Sequence, residues 1–346
     1  MRLRAALVAV PLIVLPMLAA VACSSSSSSS STSGSSGTET ASSSEAATLG
    51  PSVPAATAVA APVDASLLPT ASGAFGEKPT LTFPSTPAVP SLQRTILSEG
   101  TGPVTASNDW LITNYLGQIW NGKVFDNSYD KGSTAAFQIG VGKVVPGWDV
   151  ALVGVPVGSR VLLSLPPADG YGSAGSSGAG IGGTDTIVFV VDIVQAIGPT
   201  TGGQTDATPQ PAPATGPQVA GALGVAPTIT IPAGTAEPTA PTVTVLATGT
   251  GAPITNGSVL SQYVAVTWTG ESAGSTWPSG ATGGSSGQGP QELPVAAGGP
   301  FANLVGVPLG SRVLIQVPAQ TDSSSGQSSP SIAAAVDVLV QTSTSA

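Results

Sequence analysis

The residues best suited to chemistry lie in one run, Val145 to Gly172, reading VPGWDVALVGVPVGSRVLLSLPPADGYG. A Pro-Gly turn hands over to Trp148, a short apolar stretch and a strand follow, and a Pro-rich turn ends in Tyr171-Gly172. Such an order can bring an indole and a phenol beside one small pocket. Residues 152–166 (LVGVPVGSRVLLSLP) recur as 304–318 (LVGVPLGSRVLIQVP) with eleven of fifteen positions identical, while Trp148 and Tyr171 have no clear counterparts in the copy. One unit reads as carrying a site and the other as carrying its scaffold alone.

Composition narrows the chemistry. The 346 residues include no histidine, which removes a His-based triad, an HExxH zinc site and His-mediated proton shuttling. Cys23 is the only cysteine, so a disulfide within the chain, a Cys zinc site and a Cys nucleophile in the folded region are excluded. A net charge of −9 without a basic cluster argues against nucleic acid as a partner. No metal or cofactor is expected; what remains is shape, apolar surface and a few hydrogen bonds. With 44 glycines, 32 prolines and only 4% aromatics, the chain has room for two domains, and much of its length reads as linker or loop.

Arg2 and Arg4, the apolar run Ala5 to Val21 and the small residues before Cys23 have the form of a signal peptide over 1–22, with Cys23 resembling the lipidated cysteine of a bacterial lipobox. Residues 23–75, rich in Ser, Ala and Pro, read as a disordered tether. Alternation and turn residues then predict strands at Pro79–Pro84, Leu92–Leu97, Trp110–Ile119, Ala135–Ile139, Ser159–Leu165 and Thr186–Gln195. One short helix is expected over Asp149–Gly154, beginning right after Trp148. A Pro/Gly/Thr-rich linker is expected over 198–226, and the pattern restarts at 227–346: PTITIP (227–232) mirrors PTLTFP (79–84), and VLATGTG (245–251) mirrors ILSEGTG (96–102). The offset of about 150 residues indicates a tandem duplication of whole domains.

Within the first unit, several motifs occur together. They are Tyr115-Leu116-Gly117, the run Gly122 to Ser128 (GKVFDNS), Val144-Val145-Pro146-Gly147-Trp148, Val157-Gly158-Ser159-Arg160, Pro167 to Gly172 (PADGYG) and the strand around Phe189. In order and spacing, residues 76–197 resemble the FKBP family of peptidyl-prolyl isomerases. The resemblance implies an α+β half-barrel, a five-stranded antiparallel sheet curled around a short helix, with the second unit a degenerate copy. It makes Trp148 the floor of a pocket, with Tyr115, Phe125 and Phe189 as walls and Val144 and Val145 as rim. The Val145 N–H would bond a substrate carbonyl and Tyr171 would offer its hydroxyl. Ile181 would reach in from a Ser/Gly/Ala flap, and Asp126 would bond the Tyr115 hydroxyl at the edge. Ala135 or Ala136 stands where many members carry an aromatic, so one wall is expected to be open. Taken singly, Trp148, Phe125 and Phe189 would read as core aromatics. As a set, in a chain this poor in aromatics, they read as a site.

The chemistry so implied needs no nucleophile, metal or proton relay. Rotation about X–Pro faces a barrier of about 18–20 kcal/mol because the amide loses conjugation on twisting. The twisted amide is less dipolar than the planar one, so an apolar pocket favours it. The expected function is isomerisation of X–Pro bonds in exported proteins at the outer face of the cytoplasmic membrane, through a lipid anchor on Cys23; the resemblance also implies macrolide-type ligands. The alternative is a client-holding lipoprotein without catalysis. In the copy, Trp268 is aligned with Tyr115, Trp277-Pro278 with Phe125-Asp126, Pro300 or Phe301 with Trp148, and Ala334 with Phe189. Asp130 and Lys131 read as solvated loop charges, and Arg160 and Arg312 as structural strand charges.

Overall fold

The computed structural model describes residues 58–278, 289–321 and 326–344; the signal segment, Cys23 and the polyserine run lie outside the described residues. A first lobe contains β1 (Thr70–Ala71), β2 (Leu81–Thr82), β3 (Gln93–Ser98), β4 (Trp110–Ile119), β5 (Val124–Asn127), β6 (Ala135–Gln138), helix α1 (Pro146–Ala151), β7 (Arg160–Leu165) and β8 (Ile187–Ile197). β3 to β8 form one antiparallel sheet in the order β3-β7-β8-β4-β5, with β6 also pairing β4, so the sheet has six strands where five were expected. In β8, Ile187, Phe189, Val191 and Ile193 face the core beneath α1, at the period of two that the sequence shows. Val188 and Val190 are buried as well, on the opposite face with Leu81, Leu116 and Leu162, because β1 and β2 cover that side.

α1 begins at Pro146, three residues earlier than expected, and Trp148 lies inside it. Proline at the first helical position has the φ a helix needs and lacks only an N–H that would have no helical partner. The helix is short because its last carbonyls are taken by side chains. Arg94 donates to Ala151 O at 3.0 Å and Val153 O at 3.2 Å, and Thr105 donates to Leu152 O at 2.6 Å. Gly154 then turns the chain at φ +79°.

Residues 58–75, expected in the tether, belong to this lobe. Ala60 N–H donates to Leu92 O at 3.0 Å, Leu68 is buried and β1 pairs with β2. Polar bonds hold the segment where apolar side chains are scarce. The buried Arg160 guanidinium donates to Asp192 from Nε at 2.6 Å and Nη2 at 2.8 Å, and to Gly73 O and Glu77 O, both at 2.7 Å. Asp192 also accepts from Gly76 N–H at 2.7 Å and from the Tyr129 hydroxyl at 3.0 Å. Burial works to lower the pKa of Arg160, but the hydrogen bond and charge of Asp192 prevail and raise it.

The second lobe contains β9 (Thr208–Pro209), β10 (Gln218–Ala220), β11 (Thr228–Thr230), β12 (Thr242–Thr248), β13 (Gly257–Thr267), β14 (Ser272–Ser275), β15 (Gln291–Val295), β16 (Arg312–Val317), β17 (Gln320–Thr321), β18 (Ser328–Ser329) and β19 (Ile332–Thr344). Its sheet runs β14-β13-β19-β16-β12-β9, with β15 on β13; apart from the added β9, this is the strand order of the first lobe. Arg312 pairs with Asp337 at 2.6 Å and donates to Ala222 O at 2.9 Å and Val225 O at 2.7 Å. Residues 198–226 are therefore no free linker. They hold β9 and β10, and β10 pairs with β11 much as β1 pairs with β2.

The repeated LVGVPxGSR segment has a matching job in each lobe. Val157 O accepts from Gly102 N–H at 3.0 Å, and the Ser159 hydroxyl accepts from Gly100 N–H at 2.9 Å. Leu309 O and Ser311 make the same bonds to Gly251 and Gly249, at 3.0 and 2.9 Å. A Cβ on Gly100 would lie 2.2 Å from Val157 O, and one on Gly249 would lie 2.3 Å from Leu309 O, so each turn requires its first glycine. Removing the carboxylate at the centre of the first lobe, Asp192→Ala, leaves Arg160 buried without its counter-charge. The expected loss is about 3–5 kcal/mol of stability, measured by chemical denaturation.

Candidate functional site

The site is assembled where α1 lies across the open face of the sheet. Trp148, 3% exposed, is ringed edge-on by three aromatics: Tyr115 from β4 at 5.8 Å between centroids, Phe189 from β8 at 5.1 Å and Phe137 from β6 at 5.1 Å. Phe125 from β5 meets Phe189 at 5.6 Å, and Phe137 meets Tyr115 at 5.5 Å. Edge-to-face contacts of this kind set the ring orientations as well as burying area. The Trp148 indole N–H is buried and has no hydrogen-bond partner among the described residues.

Around this floor the exposure rises. Val144 and Val145 are half-buried, and Tyr171 is 40% exposed at the turn after Pro167–Asp169. Asp149 draws the loop before α1 onto the helix by accepting from Gly140 N–H at 2.7 Å and Gly142 N–H at 2.6 Å. Val145 is the N-cap residue of α1, and no described residue accepts its N–H. The flap closes on itself through two backbone bonds between Ser176 and Ile181, at 2.8 and 2.9 Å. Ile181 and Ala179 both pack on the core, so the flap contributes two apolar side chains where one was expected.

Phe137 is absent from the expected site residues, and it corrects the expectation of an open wall. β6 pairs Leu111 with Phe137 and Thr113 with Ala135, so Ala135 and Phe137 share the core face while Ala136 points the other way. The period of two along the strand puts Phe137 on the same face as Ala135.

The polar edge is a linked set. The Tyr115 hydroxyl donates a short hydrogen bond to Asp126 Oδ2, while Lys131 Nζ pairs with Asp126 Oδ1 at 2.7 Å. Asp130 and Lys131 are exposed loop charges, as expected, and each is also paired: Asp130 with Lys78 at 2.7 Å, accepting from the Asn127 amide at 3.0 Å as well. Burial pushes the Asp126 carboxyl up, but the hydrogen bonds from Lys131 and Tyr115 and the Lys131 charge outweigh it and hold the pKa below its ordinary value. Burial first, and then the bond to Asp126, raise the Tyr115 phenol well above its usual range. Tyr171 is raised by burial and by the Asp126 charge.

Glycine makes the aromatic contact possible. A Cβ on Gly117 would lie 2.6 Å from Phe125 Cζ and 2.7 Å from Phe189 Cε1. In the second lobe, β13 places Ala265 opposite Gly274 and Ala334, as β4 places Gly117 opposite Asp126 and Phe189. At the positions matching the two rings the second lobe has Ala273 and Ala334, and at the position matching the glycine between them it has Ala265.

The register also corrects the alignment of the copy. Tyr263, not Trp268, matches Tyr115: each takes its strand-pair partner on the adjacent long strand, Val191 or Val336, and each N–H donates to a hydroxyl, Ser128 at 2.9 Å or Thr276 at 2.8 Å. Trp277 then stands where Tyr129 does, rather than beside Phe125. Gly274 replaces Asp126, and Ala302–Leu304, a single 3-10 turn, stands in the place of α1. A separate cleft of about 180 Å³ between the lobes, with Gln195, Gly203, Gln204 and Leu339 among its lining, gathers no charged group, and the aromatic cluster is the better candidate site.

The family model described as FKBP-type peptidyl-prolyl cis-trans isomerase matches residues 102–194. An FK506-binding protein of Streptomyces anulatus is 35% identical over 119 residues, 34% of this chain and 96% of that protein. FK506-binding protein 1 of Debaryomyces hansenii is 39% identical over 111 residues, 32% of this chain and 96% of that protein. Among solved structures, FkpA from Escherichia coli shares 34% identity, covering 31% of this chain and 48% of that one, with a TM-score of 0.29.

Gly117→Ala forces the added methyl between Phe125 and Phe189. It is expected to cost about 1–3 kcal/mol in denaturant unfolding, with a changed near-ultraviolet circular dichroism spectrum as the rings shift.

Proposed function

The chain belongs to the FKBP family of peptidyl-prolyl cis-trans isomerases, and from that premise we propose that residues 115–189 bind a prolyl segment of an exported polypeptide and turn its X–Pro bond in the aromatic cup over Trp148. The observation that carries this reading is the convergence of Tyr115, Phe137 and Phe189 on one buried indole, below a rim of Val144, Val145 and exposed Tyr171.

In this reading the proline ring rests on Trp148, between Phe125, Phe189 and Phe137. The Val145 N–H and the Tyr171 hydroxyl hold the flanking peptide, so that the prolyl bond is the one free to rotate. The twisted amide gives up part of its dipole and is favoured by surroundings that offer apolar surface in place of water. Ile181 closes the cup from the flap. Asp126, held by Tyr115 and Lys131, keeps the Tyr115 ring in place and stays charged. Macrolide-type ligands would occupy the same cup.

The second lobe, with Ala273, Gly274, Ala334 and Pro300 at the matching positions, is a degenerate copy without isomerase activity. Cys23 is the lipid-anchored first residue of the mature chain, and the catalytic lobe works at the outer face of the cytoplasmic membrane. Anchoring on two or three acyl chains at about 0.8 kcal/mol per buried CH₂ suffices for stable attachment.

Cis/trans exchange of a short X–Pro peptide is the direct test. Addition of the chain is expected to accelerate it; Trp148→Ala is expected to lower kcat/KM at least about tenfold, roughly 1.4 kcal/mol of transition-state stabilisation. Tyr171→Phe, which removes one hydrogen bond, should lower it about two- to tenfold. An uncatalysed rate with the folded wild-type chain would refute the isomerase reading. Mass spectrometry of the mature N-terminus checks the anchor, with a diacyl or triacyl Cys23 expected and an unmodified cysteine excluding it.

The pH profile is a further test. The pKa of Asp126 is lowered, so its contribution is complete above the ordinary carboxylate value and is lost only as pH falls through the lower folded value. Tyr115 and Tyr171 are raised, so both stay protonated past their ordinary value near 10. With no histidine in the chain, kcat/KM is expected to be flat from about pH 5 to 9. A bell centred near neutrality would mean that another group takes part.

A further inference from the structure

The two lobes meet through equivalent residues. Ile112 on β4 and Leu260 on β13 occupy the same place in the repeat, as Tyr115 and Tyr263 show, and both are buried in one apolar cluster with Ile197. Trp110, Ala136, Leu339 and Val340 pack around them, and the Trp110 indole N–H donates to Pro290 O at 2.9 Å. The matching strands β4 and β13 thus share one buried apolar cluster.

This cluster lies directly behind the site. β6 is four residues long and pairs only with β4. Its core face carries Phe137, set against Trp148 and Tyr115, and its opposite face carries Ala136, set against the second lobe, where β19 contacts β6. A strand so short, with an alanine on its back, has little apolar surface of its own to fix its position. The second lobe supplies that surface.

We propose that the second lobe is a buttress for the site, and that Leu260 is a positioning residue that holds β6, and with it Phe137, against Trp148. The inference rests on the isomerase reading above. It accounts for the way the second lobe has changed: the aromatic cup is gone, while the sheet, the buried Arg312–Asp337 pair and Leu260 at the contact are kept.

The experiment uses the full chain labelled with fluorophenylalanine, the Phe137 resonance being assigned by its loss in Phe137→Leu. Leu260→Ala is expected to shift or broaden that resonance while leaving the Phe83 resonance in place. It should also lower kcat/KM about three- to tenfold, through KM more than kcat. Leu260→Met is expected to restore both. Leu304→Ala, in the second lobe's own core, removes a side chain of the same size away from the contact and is expected to leave both unchanged. If Leu260→Ala does not fold, Leu260→Val makes the same comparison. A wild-type resonance and rate in the folded Leu260 variant would overturn the proposal, as would an equal effect from Leu304→Ala. Should the wild-type chain itself lack activity, the isomerase reading fails, and the Phe137 resonance alone still decides whether Leu260 positions β6.

Discussion

The ion pair between Arg160 and Asp192 sits where three parts of the first lobe meet: β7, β8 and the loop that precedes β2. A buried charge pair is costly to desolvate and holds only when its remaining donors and acceptors are satisfied. Here they are satisfied by Gly73 O, Glu77 O, Gly76 N–H and the Tyr129 hydroxyl. The pair therefore fixes a stretch of chain that has little apolar surface to bury. With that stretch in place, the back of β8 is covered, and β8 can present Phe189 to the site from a strand buried on both faces. Arg312 and Asp337 repeat the arrangement in the second lobe, which has the same strand order without the aromatic set.

From this scaffold the site follows by close packing. Trp148 is delivered by a helix whose start is set by Pro146 and whose end is closed by Arg94 and Thr105. Phe125 and Phe189 can touch because Gly117 leaves them room. The second lobe has alanine at all three matching positions, Ala265, Ala273 and Ala334, a consistent set, since a methyl group is excluded only where the rings are present.

The charged groups at this edge are tied to one another. Asp126 is tied on one oxygen to Tyr115 and on the other to Lys131, an arrangement that holds the carboxyl below and the phenol above their ordinary pKa values. Catalysis by a surface of this kind depends on how well the rings hold their positions, and hence on whatever lies behind the strands that carry them. That dependence gives the second lobe a physical role that needs no pocket of its own.

The fold of the first lobe was legible in the residue pattern wherever a local rule decides. β4 was expected at its observed bounds, since a ten-residue β-rich run closed by Asn121-Gly122 leaves little choice. Phe125, Trp148, Phe189, Tyr115 and Ile181 are brought together around α1, because their motifs are strung along strands whose alternation was already visible. The same alternation places Phe137 with Ala135 on the core face, a position the motifs of the resemblance do not mark. The segments at 58–75 and 198–226 could not be recognised as folded from composition, which measures apolar content, whereas a buried arginine holds them by hydrogen bonds from far along the chain. The residue pattern sets the stretch from Tyr263 to Gly270 beside the Tyr115 region but does not choose between Tyr263 and Trp268 as the match of Tyr115, because strand register is set by partners on the neighbouring strand and not by local identity. The chain by itself determined the elements, the repeat and the aromatic set. Only the tertiary structure decided which face each residue takes, which charges are buried, and that the backs of the two lobes meet, because each of these depends on contacts between segments distant in sequence.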